Sequence, residues 1–419
     1  MTLEPAAFSP PDDKLGRIVM RSLLAGGALM ALATMPALAQ VSDDVVKIGV
    51  LTDMGGVTAD IGGKGSVIAA ELAVKEFGAT VLGKPIQIVA ADHQHKADLG
   101  TSIARQWFDI DKVDAVVDVP NSAVALALQS LAREKKRIVM YSGAGTTALT
   151  NEQCSPYGFH WTYDTYGVAR GTASAVVKAG GTSWFMLASD YAFGHQLQKD
   201  ATDVVEANGG KVVGAVRHPL NNADFSSFLL RAQSSGAKVI GIANAGGDTI
   251  NAIKQAGEFG LVEQGQNLAA LIFFLQDVHS LGLKATQGTY LTTASYWDLD
   301  EPSRAWSKQF LEKAGMMPSM LHAGVYGSVL HYLKAIKEAG TDDPDKVAAA
   351  MRAMPINDAF TKDARIRADG RVLREMYLAR VKKPADSKGP WDYFEIVRKI
   401  APEETVWPLS ESKCPAAKG

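Results

Sequence analysis

The feature that most limits the fold is an alternation. Short apolar, β-rich runs are followed by stretches of helical length, and the rhythm holds from Val45 to Phe274. The first runs are Val45 to Thr52, Pro85 to Ala91, Ala115 to Val119 and Arg137 to Tyr141. Between them lie helical stretches carrying Ile68, Leu72 and Phe77, then Ile103, Trp107 and Phe108, then Ala123 to Arg133. Asp98 is placed to cap the second of these. Strand and helix in turn predict a parallel sheet covered on both faces.

The rhythm breaks at Asn151 to Asp164, a loop with Cys154, Pro156 and several aromatics, and then restarts. Helices over Gly167–Lys178, His195–Asn208, Phe225–Ser235 and Thr249–Phe259 precede strands over Ser183–Ala188, Lys211–Val216, Lys238–Ala243 and Ala269–Phe274. After the strand Tyr290 to Ser295 come three helices, near Pro302–Ala314, Leu321–Gly340 and Asp345–Met354. Ala364–Ala368 and Tyr377–Val381 then read as a β-hairpin around Asp369-Gly370, with Trp391–Val397 beyond. A chain of 419 residues is too long for one ordinary domain, so two α/β units are expected.

Residues 1 to 39 are expected to be a secretory leader. Lys14, Arg17 and Arg21 precede an apolar core from Ser22 to Thr34, and Ala37-Leu38-Ala39 supplies a cleavage signal. The apolar core is too short for a membrane anchor. The mature chain is therefore expected in the periplasm. There an isolated pair, Cys154 and Cys414, is expected to form a disulfide, the alternative being two free thiols. Closing so long a loop contributes on the order of 4 to 5 kcal/mol on a chain-entropy model. A net charge of −2 and 21% charged residues point away from nucleic acid and from an anionic membrane surface.

Catalytic patterns are wanting. No Gly-x-Ser-x-Gly elbow, Cys-x-x-Cys or His-Glu-x-x-His occurs, and Gly62-Gly63-Lys64-Gly65 departs from a phosphate loop at both ends. Asp92-His93-Gln94-His95 could chelate a metal weakly but reads better as a polar loop. A binding protein needing neither cofactor nor metal is what remains. Its candidate turns follow strands: Thr52–Gly62, Asn121-Ser122, Ser142–Thr146, Ser189–Gly194, Asn244–Asp248 and Phe274–Asp277. Turns at the carboxyl ends of parallel strands are where ligands bind. Three turns from each unit imply a cleft between two lobes.

On these motifs, above all Ser142-Gly143-Ala144-Gly145-Thr146 and Asp190-Tyr191-Ala192-Phe193-Gly194, the chain resembles type I periplasmic solute-binding proteins. These serve ATP-binding-cassette importers, and the likeness is to the branched-chain amino-acid-binding subgroup. The resemblance implies two doubly wound α/β lobes joined by a three-strand hinge. Lobe 1 would comprise 45–162 and 295–358, and lobe 2 163–294 and 359–419, with crossings near Tyr163, Ser295 and Phe360. It implies a ligand carboxylate held by Ser122, Ala144 and Thr146, with Asn121 beside them. It implies a wall made by Phe193, Tyr191 and Ile61. An acid for an amino group falls to Asp248 or to Asp277, so an amine-free hydrophobic or aromatic carboxylate competes with a branched-chain amino acid. A membrane permease is the implied partner of a monomer that closes like a clamshell. A sensory module reporting to a receptor is the alternative, and a secreted enzyme on the same frame is disfavoured.

Overall fold

The computed structural model describes residues 41–417. The expected leader lies outside them. No helix among the described residues is long and apolar enough to cross a membrane.

The first sheet contains β1 (Val46–Thr52), β2 (Thr80–Val81), β3 (Lys84–Asp92), β4 (Ala115–Asp118), β5 (Ile138–Tyr141) and β6 (Gly158–His160). Their order is β2-β3-β1-β4-β5-β6, parallel throughout except for the β2–β3 hairpin. β4 and β5 are buried along their whole length, as strands roofed on both faces must be. The connecting helices are α1 (Gly63–Phe77), α2 (Ala97–Gln106) and α3 (Ser122–Lys135). Asp98 does not cap α2. Lys96 holds the cap position, and Asp98 sits in the first turn, where its charge favours the helix dipole.

The second unit brings α4 (Thr165–Lys178), β7 (Ser183–Ser189), α5 (Ala192–Ala207), β8 (Lys211–His218), α6 (Ser226–Ser234), β9 (Val239–Ala243), α7 (Gly247–Glu258) and β10 (Asn267–Ala270). Its sheet is parallel, in the order β10-β9-β7-β8. In both sheets β1 and β7 lie inside, with neighbours reached by crossovers in opposite directions. The gap beside such a strand, at its carboxyl end, is a topological switch point.

Further on lie β11 (Tyr290–Thr293), α11 (Met320–Ala339) and α12 (Pro344–Ala353), numbered after the short α8 (Leu275–Leu281) and α9 (Leu283–Thr286) and the surface helix α10 (Glu301–Ala314). The chain ends in β12 (Ile356–Asp358), β13 (Thr361–Ile366), β14 (Val372–Leu373), β15 (Met376–Val381) and β16 (Phe394–Ile400). The expected hairpin between Ala364–Ala368 and Tyr377–Val381 does not form. β13 pairs with β14 around Asp369-Gly370, while β15 pairs with β11 and β16. The turn docks on the edge of the first sheet, where the His160 N–H donates to the Gly370 carbonyl at 2.9 Å. That docking ends the hairpin after two residues.

The apolar packing revises the expected division of the chain. Phe360, Ala364, Ile366 and Val372, expected with the second unit, pack in one cluster with β1, β4, α11 and α12. Met376 and Leu378 pack with the second unit. The third crossing therefore falls between Val372 and Met376, not near Phe360. A second cluster joins Ile61 and Leu321 to Tyr163, Phe193 and Phe274, so apolar contact continues from one half to the other. Cys154 and Cys414 are disulfide-bonded, 260 residues apart. The tail is also held by the Arg367 guanidinium on the Trp407 carbonyl at 2.8 Å.

Candidate functional site

β4 ends in a kink. Asp118 and Val119 have φ of +84° and +57°, an unfavourable conformation for any side chain and most of all for a β-branched one. Tertiary hydrogen bonds hold it. The Val119 N–H donates to the Leu51 carbonyl at 2.9 Å, and the Asp118 carbonyl accepts from Ser142 at 3.2 Å and Gly143 at 3.0 Å. The kink sets Pro120 directly on Gly143, where a Cβ would lie 2.6 Å from the Pro120 backbone. Only glycine fits there.

The kink also starts α3. The Asn121 side chain caps it, accepting from the N–H groups of Ala123 at 2.9 Å and Val124 at 3.0 Å. Ser122 is its first residue and is buried; its Oγ accepts the Thr146 N–H at 3.2 Å. That leaves the hydroxyl proton of Ser122 free to donate.

A small, narrow cavity of about 10 Å³ lies here. Thr58, Ile61, Pro120, Ser122 and Leu321 form its first-unit side, with Gly143 and Gly145. Tyr163, Tyr191, Phe193 and Ala245 face them. No carboxylate, amine or guanidinium is among these lining groups. A wider concavity of about 460 Å³ runs along α4 and α5, lined by Tyr166, Arg170, Asp200 and Trp407. It lies along these helices and the end of β16, away from the carboxyl ends of the parallel strands.

The residues singled out from sequence divide accordingly. Ser122, Ile61, Tyr191 and Phe193 converge on the cavity. Ala144 does not line it, although its two neighbours do; its carbonyl accepts from the His160 ring at 2.7 Å. The Thr146 hydroxyl turns to its own short helical turn and accepts the Ala148 N–H at 3.4 Å, so only its backbone reaches Ser122. Asn121 is a cap rather than a wall. Asp248 neither lines the cavity nor caps α7, whose cap position is Gly246. It accepts the N–H groups of Asn221 at 3.0 Å and Asn222 at 2.8 Å. Asp277 accepts the Phe274 N–H at 2.9 Å.

Burial governs the titration of the surrounding acids. It pushes Asp118, beneath Gly62 with Thr52 and Ser66, up to about 6. It pushes Asp277 up to about 8, and the nearby Asp60 adds to the rise. The Tyr163 and Tyr191 hydroxyls are raised well above their ordinary value by burial. Asp43, Asp114 and Asp342 approach one another, but beside Lys47 at the start of β1, at the opposite edge of the sheet from the cavity. His93 and His95 do not converge as chelators: the rings are edge to face, 5.4 Å apart, and both nitrogens of His95 face protein partners.

Two lining residues were not anticipated. Tyr163 was read only as a crossing, and Leu321 as a helix start. Leu321 enters because Ser319 caps α11 and donates from Oγ to the Ile61 carbonyl at 2.6 Å, which ties this helix start to the cavity wall.

Comparison with known proteins gives a consistent result. A solved periplasmic binding protein from Burkholderia mallei is 52% identical, covering 89% of this chain and 99% of that one, with a TM-score of 0.87. A branched-chain amino-acid ABC-transporter periplasmic ligand-binding protein from Burkholderia xenovorans LB400 is 42% identical, covering 89% and 100%, with a TM-score of 0.79. A solute-binding protein of an ABC transporter from Rhodopseudomonas palustris HaA2, solved with p-hydroxybenzoic acid, is 25% identical, covering 85% and 97%, with a TM-score of 0.76. The family model described as "Periplasmic binding protein" matches residues 45–389. The chain belongs to the periplasmic binding protein family.

Proposed function

We propose that this protein is the periplasmic solute-binding component of an ABC importer and that its ligand is a small hydrophobic or aromatic carboxylate without an amino group. The observation that carries the reading is the make-up of the cavity: aromatic and aliphatic walls, a Ser122 hydroxyl, and no acidic side chain among the lining groups. An ammonium enclosed there without a partner costs several kcal/mol. The acids that could have served are engaged with backbone N–H groups, Asp248 at Asn221 and Asn222 and Asp277 at Phe274.

A carboxylate suits the Ser122 end. The Ser122 hydroxyl can donate, since its oxygen accepts the Thr146 N–H, and the start of α3 carries the positive end of a helix dipole. The Rhodopseudomonas relative solved with p-hydroxybenzoic acid supports an aromatic acid. The branched-chain description of the Burkholderia xenovorans relative supports the second reading, leucine or valine.

Lobes that part and close would then present a closed form to a membrane permease, after export on the leader and its removal. A monomer suffices for this, and a solute sensor would use the same closure. Isothermal titration calorimetry against benzoate, 4-hydroxybenzoate, leucine and valine tests the ligand class. Binding of the benzoates with no heat from the amino acids is expected. Tight leucine binding would overturn the amine-free reading.

A further inference from the structure

The Asp92–His95 segment takes no part in lining the cavity, yet it stands at one end of a hydrogen-bond relay that reaches the other lobe. Asp53, buried at the end of β1, organises the turn after it. Its carboxylate accepts from the Gly56 N–H at 2.7 Å, the Thr58 N–H at 2.9 Å and the Thr58 hydroxyl at 2.8 Å. The His95 Nε2 lies 2.7 Å from the same carboxylate. Asn121 settles which way the ring is protonated. Its Oδ1 is taken by the α3 cap, so its Nδ2 donates to His95 Nδ1 at 2.9 Å, and Nε2 carries the proton toward Asp53.

The turn held in this way presents one group across the gap. The Val57 carbonyl accepts the N–H of Gly247, the first residue of α7, at 2.8 Å. The preceding Gly246 has φ of +57°, and a Cβ on it would lie 2.0 Å from that same carbonyl oxygen. The close approach therefore requires glycine twice over, for conformation and for space.

We propose that Asp53 and His95 are positioning residues for closure: they hold the 53–58 turn in the one shape in which Val57 clasps Gly247. The relay is continuous with the ligand cavity, since Asn121 precedes Ser122 and Thr58 lines the wall. Closure is thereby clasped at a point the ligand does not touch. This does not depend on the ligand's chemical class.

Hydrogen–deuterium exchange on the intact protein tests it, without additive and again with a mixture of benzoate, 4-hydroxybenzoate, leucine and valine. In His95→Ala and Asp53→Asn, the 244–249 segment of the opposite lobe should exchange at least tenfold faster than in wild type under one or both conditions. His95→Gln, which keeps a donor for Asp53, should restore part of the protection. A local structural role would speed exchange only within 53–62 and would overturn the proposal. So would equal exchange of 244–249 in all proteins under both conditions. Far-ultraviolet circular dichroism melts identify a variant that has unfolded, and His95→Gln then decides. Calorimetry that finds none of the four solutes bound would fail the ligand reading alone, because the additive-free exchange still judges the clasp.

Discussion

The hinge and the mouth of the cleft join the same two halves by opposite means. At the hinge, the Arg371 guanidinium pairs with Asp164 at 2.9 Å and donates to the His160 carbonyl at 3.0 Å, with both charged side chains buried. Arg374 donates to the carbonyls of Ala294 at 3.0 Å and Phe360 at 3.3 Å. Arg371, just before the third crossing, thus grips residues near the first, and Arg374, within it, grips Ala294 near the second. At the mouth, one polar link is a backbone hydrogen bond from Gly247 to Val57. A buried ion pair that loses one partner costs about 3–5 kcal/mol, whereas one backbone hydrogen bond contributes about 0.5–1.5 kcal/mol net. The difference teaches how a two-lobed binder stays intact while opening: what must persist is buried and charged, and what must yield is close to thermal energy.

Breaking the hinge should give the largest effect. Arg371→Ala strands the Asp164 carboxylate in a buried site and should destabilise the fold by about 3–5 kcal/mol in urea denaturation. A loss under about 1 kcal/mol would put the hinge on a par with the mouth and end the contrast. Next is the tail. Cys154→Ser with Cys414→Ser, or reduction, should cost about 2–5 kcal/mol in the same assay, because the closed loop is long. Ligand affinity should change little, since the disulfide lies away from the cavity walls.

At the cleft the effects should be smaller and should fall mainly on affinity. Ser122→Ala should weaken a benzoate by about 1–3 kcal/mol in calorimetry, and should also lower the melting temperature modestly, because the buried Thr146 N–H loses its acceptor. Unchanged affinity would remove Ser122 from the carboxylate site. The most delicate test is a pH series on Asp277→Asn. Burial raises the folded acid to about 8, against an ordinary value of 3.8. Between these values the folded protein holds a proton that the unfolded chain has released. Wild type therefore loses stability through this group as pH rises from about 4 to about 8. The variant lacks that loss, so its melting temperature relative to wild type should climb across the same window. A difference independent of pH would mean that the acid is not buried in solution.

Much of the fold was legible because strand and helix periodicities are local. Alternating runs announced the two parallel sheets, and turns after strands announced Ser122, Tyr191 and Phe193 as neighbours of one cavity. The cysteine pair was legible from its isolation. Side-chain direction within the turns was not. Thr146 and Asp248 carry the right chemistry at suitable places, but one hydroxyl is drawn to Ala148 and one carboxylate to Asn221 and Asn222. Each unpaired backbone N–H nearby competes for such a group, and only the packed chain decides the winner.

By itself, then, the sequence determined the layers, the strand ends and the kind of residue displayed there, since these follow from patterns of two to four residues. The tertiary structure decided the rest. It set the β13–β14 pairing, the crossing after Val372, the left-handed Val119 and the meeting of Val57 with Gly247. All four depend on partners far apart along the chain, and a conformation unfavourable on its own persists only where such partners hold it.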